Sequence, residues 1–220
     1  MKKGILSLTF ILLLIVTIST TTFAGGDWAF EVYGGTAYNI PTPLTIEKGE
    51  KTIDIDRAKY STNPLEESPY YAWRVSRWEN EKAWELQLVH HKIRLENDHE
   101  DIDHFEISHG YNLISVNHAW EKENYIFRGG LGTILTHPEF DVFNEKIDQE
   151  KGLAGLGFYF SGIAAQTSIG RKFELTDNWY ASTEGMLNAS YASVKPDATE
   201  ITAKVPNVSL HFLLGMGYEF

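Results

Sequence analysis

The chain has 220 residues, with 30 Asp and Glu against 19 Lys and Arg, a formal charge of −11 and no cysteine. Without Cys there is no disulfide framework and no thiolate chemistry, and the negative charge argues against a phosphate-backbone partner, so nucleic acid is excluded. Beyond the first two dozen residues no apolar run is long enough for a membrane-spanning helix.

Residues 1–24 read as an export signal. Lys2 and Lys3 precede the apolar run from Gly4 to Ile18, and Thr22-Phe23-Ala24 supplies a small-residue cleavage site. Their removal takes away two lysines and no acid, leaving 25–220 as a single, more acidic domain. The full chain is 13% aromatic, with 18 Gly, yet mean hydropathy is −0.26. A period of two reconciles these facts, because each strand then carries one oily and one polar face.

In chain order, strands are expected over 27–40, 69–78, 83–95, 104–120, 125–136, 157–173, 178–194 and 205–220. Between the first two, Leu44-Thr45-Ile46 and Ile53-Asp54-Ile55 flank Lys48-Gly49-Glu50 as a hairpin. Its first arm is too short to cross lipid, so it reads as an extracellular extension, with ten strands as the alternative to eight. Trp84, Leu86 and Leu88 oppose Glu85 and Gln87, while Tyr125, Phe127, Leu131 and Leu135 oppose Arg128, Gly130 and Gly132. Further on, Trp179, Leu187 and Tyr191 oppose Ser182, Glu184 and Asn188. The last segment is the clearest. Val208, Leu210, Phe212, Leu214, Met216, Tyr218 and Phe220 share one face, and Ser209, His211, Leu213, Gly215, Gly217 and Glu219 the other. The connections alternate: long at 41–68, 96–103, 137–156 and 195–204, short at 79–82, 121–124 and 174–177. Trp78, Trp84, Trp120 and Trp179 cluster beside the short turns as an interfacial belt.

The pattern, ending in Tyr218-Glu219-Phe220, resembles the bacterial outer-membrane β-barrel proteins. The resemblance implies an all-β, closed, up-and-down antiparallel transmembrane barrel in the cell outer membrane. It implies outer-membrane lipid and lipopolysaccharide as surroundings, and recognition of Tyr218 and Phe220 by the barrel-insertion machinery. A monomer is favoured and no cofactor is implied.

Chemistry, if any, would come from polar residues. Arg74, Glu85, Gln87, Arg128, Glu184 and His211 fall on polar faces and read as an ion-paired network filling a narrow lumen, with Gly130, Gly132, Gly215 and Gly217 making room. His104, Glu106 and Ser108 lie on one face of the strand from 104, read as the lumen face, with Phe105 and Ile107 toward lipid. They place a base, an acid and a hydroxyl in a row, although same-face neighbours are about 6–7 Å apart. Outer-membrane lipid A deacylases are the nearest enzymatic resemblance. Their His-x-Ser pair is missing here, so no catalytic residue carries over. His99, Asp101 and Asp103 on the acidic 96–103 loop are the metal-ligand candidates, with other histidines (His90, His91, His104, His109) nearby. The favoured reading is a non-enzymatic small barrel whose external loops serve surface contacts or envelope integrity. The alternatives are a lipid A acyl-ester hydrolase or acyltransferase, a small-solute channel, and a soluble lipocalin-like binder.

Overall fold

The computed structural model describes residues 27–66, 68–147, 152–197 and 199–220, except the Ser108 side chain; the expected export signal, 1–24, lies outside them. The strands are β1 (Asp27–Ile40), β2 (Thr42–Lys48), β3 (Lys51–Ala58), β4 (Tyr60–Ser61), β5 (Tyr71–Glu79), β6 (Lys82–Leu95), β7 (Ile102–Lys122), β8 (Tyr125–Thr136), β9 (Glu139–Val142), β10 (Glu145–Lys146), β11 (Tyr159–Glu174), β12 (Trp179–Val194) and β13 (Ile201–Glu219).

Eight of them, β1, β5, β6, β7, β8, β11, β12 and β13, pair antiparallel in that order, and the β1–β13 ladder closes the ring. The barrel therefore has eight strands, and the ten-strand alternative falls. Its stagger is legible in the register. Cross-strand partners followed from Ile40 through Val208, Ala189, Ala165, Leu131, Val116, Leu86 and Val75 return to β1 at Phe30, ten residues lower. A closed sheet with such a stagger tilts its strands by roughly 35–45°.

At one end the connections are tight. Glu123 and Asn124, with φ of 53° and 65°, join β7 to β8, the two left-handed residues that match a hairpin's twist. At the other end the strands run on. Past Pro41, β2 continues β1 alongside β13, from Lys204 opposite Thr45 to Ile201 opposite Lys48, and β3 folds back over it. The anticipated hairpin is thus this extension. Pro206 sits where β13 exchanges β1 for β2, a break in the ladder where the missing N–H matters least; Thr42 Oγ1 donates to its carbonyl at 2.6 Å. In the same way β9 continues β8 along β7, and β10 returns. The 41–68 and 137–156 stretches are therefore partly strand, and β13 starts four residues earlier than its alternation indicates.

The inside and outside of the cylinder differ sharply. Phe212, Leu214 and Met216 point outward, 60%, 66% and 49% exposed, whereas Arg128 and Glu184 point inward and are buried. A soluble lipocalin-like binder would have these reversed. Between the belt at Trp84, Trp120, Trp179 and Tyr218 and the outer aromatics Tyr38 and Tyr191, the outward positions of the described strands carry no Lys, Asp or Glu, and their Arg171 lies over the Tyr125 and Phe173 rings of the belt. On β13 that band runs from Tyr218 to Val208, the length a tilted strand needs to cross a hydrocarbon layer.

Beyond the band the polarity inverts along the same strands. Ser209 and His211, with Leu213 and two glycines below them, fill the inward phase of β13 within the band and Asn207 stands at its edge, but Ile201, Ala203 and Val205 fill it above, with Thr202 and Lys204 outside. Lys204 gives a 2.6 Å hydrogen bond to Glu47, which raises its ammonium pKa. Leu44, Ile46, Ile53, Phe105, Ile107, Phe140 and Val142 join these residues in one apolar core that roofs the barrel. Where the outer face meets water instead of acyl chains, the oily side chains turn inward.

Inward glycines set the tightest approach. A Cβ on Gly215 would lie 2.3 Å from the Val32 carbonyl oxygen and 2.4 Å from the Tyr33 ring. Replacing Gly215 with Ala is expected to destabilise the folded barrel by about 1–3 kcal/mol through overpacking, read as a lower urea midpoint for unfolding from lipid vesicles.

Candidate functional site

The middle of the lumen is held by five charged side chains from five strands. Arg74 of β5 donates through Nη1 to Glu31 at 2.9 Å and through Nη2 to both oxygens of Glu184, at 2.9 and 2.8 Å; its Nε lies 3.5 Å from Glu85. Arg128 of β8 donates through Nε to Glu85 at 3.1 and 3.0 Å, and its Nη1 lies 3.0 Å from Glu184. Tyr33 adds its hydroxyl to Glu31 at 2.7 Å. Below full desolvation none of this would be needed; with Arg74 at 0% exposure each charge must be met by its opposite. Gln87 lies in an adjoining amide cluster, its carbonyl accepting from Asn117 at 2.8 Å and Gln166 at 2.9 Å.

Glu31, Tyr33, Asn117 and Gln166 escape a reading confined to the clearest polar faces. For Glu31 the signal was present: Ala29, Glu31 and Tyr33 alternate with Phe30 and Val32. Glu219, at the barrel's end, is paired with Lys172 at 2.7 Å.

His211 lies higher in the lumen, within a second cluster. Its Nε2 is 2.8 Å from Ser209 Oγ, its Nδ1 is 2.8 Å from the Tyr70 hydroxyl, and the ring meets His91 edge-on at 4.9 Å. This is a Ser–His contact, but the third partner is a phenol instead of a carboxylate, and Ser209 and His211 are 0% and 1% exposed. An acyl-transfer site needs an orienting acid and access for its substrate; here the pair serves the interior's hydrogen bonding.

His104 and Glu106 do not face the lumen. They lie on the outer face of β7 in the extension, His104 Nε2 3.5 Å from Glu106, whose other neighbour is Arg94 at 4.0 Å. Phe105 and Ile107 are the inward residues, buried in the apolar roof, and Phe105 stacks on Phe140 at 4.3 Å. The assignment of these two to lipid is corrected by the polarity inversion, since this part of β7 stands above the acyl chains. Ser108 belongs to β7, with its side chain outside the described atoms. On the turn between β6 and β7, His99 Nδ1 accepts the Asp101 backbone N–H at 3.1 Å, which shapes the turn. His99, Asp101 and Asp103 do not bring their ligand-capable atoms together among the described residues; those of His109, His137 and Glu139 lie within 4.8 Å of one another. Tyr218 stacks on Phe220 at 6.1 Å, with Trp179 at 5.0 Å on its other side.

A closed eight-stranded cylinder with an oily belt outside and ion pairs within is the architecture of an outer-membrane β-barrel. The fold is similar to solved structures of that class. Ail, the attachment invasion locus protein of Yersinia pestis, is 14% identical over 89% of this chain and 99% of its own, with a TM-score of 0.39. The outer membrane protein OprG of Pseudomonas aeruginosa is 13% identical over 89% and 96%, at 0.48, and Neisserial surface protein A is 10% identical over 89% and 98%, at 0.42. No protein-family model and no curated protein matches the chain.

Proposed function

We propose that the protein is a monomeric, non-enzymatic barrel of the cell outer membrane, exported through residues 1–24, surrounded by lipid and lipopolysaccharide, that presents a rigid β-built head to the exterior for surface contacts or envelope integrity. Tyr218 and Phe220 are the residues offered to the insertion machinery. The observation that carries this reading is the inversion of polarity along β13, oily outside with Ser209 and His211 inside within the band, then Ile201, Ala203 and Val205 inside with Thr202 and Lys204 outside beyond it. Such an inversion suits a strand that leaves a bilayer for water. A head whose apolar residues are continuous with those of the barrel interior holds its surface in one shape, which suits recognition.

The chain has no cysteine, so single labels can be placed at will. Asp56→Cys in the exposed part of β3 is expected to react with a membrane-impermeant maleimide on intact cells, and Glu81→Cys in an opposite turn only after lysis. The reverse pattern, or recovery of the protein in the aqueous fraction, overturns the reading. Because Arg74, Glu85 and Arg128 close the lumen, planar bilayers containing the purified barrel are expected to show no discrete conductance steps; a regular single-channel current would restore the channel alternative. An altered lipid A mass spectrum on expression would restore the enzyme.

A further inference from the structure

Where β8 gives way to β9 the chain reads His137-Pro138-Glu139. Both strands pair with β7, but the register slips between Thr136 opposite Tyr111 and Glu139 opposite Glu106. β7 takes up the slack at Gly110, whose φ of +130° lets the backbone turn, and the Gly110 carbonyl accepts the His137 N–H at 3.0 Å. That bond ties the two segments together and sets His109 beside His137, ring centroids 4.9 Å apart. Pro138 fixes its own φ and so restrains the step between the residues flanking it.

Two imidazoles and a carboxylate result, with ligand-capable atoms all within 4.8 Å of one another. His109 Nδ1 and Glu139 Oε1 are already 2.8 Å apart. His137 is buried against the edge of Phe158, centroids 4.9 Å apart, while the His109 side chain is exposed and that of Glu139 is partly buried. One ligand is thus rigid and two can close by small side-chain rotations. Ion–ligand distances of about 2.0–2.2 Å bring such atoms to within roughly 3.5 Å of each other. The site lies where the barrel meets its head, above the Tyr111 level of the lumen, and opens outward.

We infer that His109, His137 and Glu139 form a binding site for one divalent transition-metal ion, with at least one coordination position open to the exterior. The donor set selects the class: two imidazole nitrogens with one carboxylate favour Zn²⁺, Cu²⁺ or Ni²⁺ over the oxygen-seeking Ca²⁺ and Mg²⁺. The ion replaces the His109–Glu139 hydrogen bond with two metal bonds and cross-links β7 to the β8–β9 junction. The Glu139 carboxylate supplies negative charge to compensate the ion.

The test uses the untagged barrel folded in detergent, with Zn²⁺ titrated against a chromophoric chelator. One ion per chain is expected, with affinity falling at least tenfold in His109→Ala and in Glu139→Gln. The outward His104→Ala is expected to bind as the wild type does, and a hundredfold excess of Ca²⁺ or Mg²⁺ is expected not to displace zinc. Heat-modifiable gel migration checks that each variant folds. With Cu²⁺ on the wild-type protein, electron paramagnetic resonance is expected to show hyperfine coupling to two imidazole nitrogens, reduced to one in His109→Ala. Absence of a saturable single site, retention of full affinity in both ligand variants, or a copper spectrum without imidazole coupling each overturns the proposal.

Discussion

Replacing Arg74 with Met is expected to lower barrel stability by about 3–5 kcal/mol, because it strands buried carboxylates that have only Arg128 left to share. Glu31 and Glu184 each lose a 2.8–2.9 Å partner, and Glu85 its second guanidinium. The measurement is the urea midpoint for unfolding from lipid vesicles, scored by the shift between folded and unfolded gel mobility. Pairing Arg74→Met with Glu184→Leu removes one charge of each sign, so the double variant is expected to regain a large part of the loss. A single variant as stable as the wild type would mean that water reaches the lumen and that the five charges do not depend on one another.

Leu214→Arg is expected to cost about 2–4 kcal/mol, the penalty for a cation at the middle of a lipid-facing strand. Leu214 is 66% exposed, so nothing in the protein is disturbed by the longer side chain and the penalty reports the surrounding medium alone. Thr202→Arg, twelve residues away on the same face of β13 but beyond the inversion, is expected to change stability by no more than about 0.5 kcal/mol. Equal effects at the two positions would place both in one medium and remove the boundary at Pro206. In aqueous detergent without an extended acyl phase the Leu214→Arg penalty is expected to shrink, whereas the Arg74→Met penalty, internal to the protein, is expected to persist.

The barrel itself was legible because its signal is redundant. Each of the eight long strands repeats the same alternation, and turns such as Glu123-Asn124 interrupt it at one end only, so an error in one segment is corrected by its neighbours. The head was less legible for a physical reason. A period of two says which residues share a face, not which face is inside; that depends on whether acyl chains or water lie outside. The lipid convention, applied to His104 and Glu106 in a stretch where water lies outside, turns Phe105 and Ile107 the wrong way. The His109–His137–Glu139 corner was hidden for another reason. Its members come from segments 28 residues apart, and they meet because a slipped register and Gly110 bring them together, which no local spacing encodes. Tyr70 beside His211 is hidden likewise, since it comes from 141 residues away, whereas Ser209, two residues from His211, shares its face by the period of two.

The roof above the ion pairs has a bearing on how the molecule is made. Lys204, Arg94 and Glu106 must reach the far side of the bilayer, yet they belong to strands whose lower halves stay within it. In the finished fold the interior of the cylinder offers them no passage. Arg74 and Arg128, each held by carboxylates from other strands, form a bolt across the lumen between the head and the short-turn end.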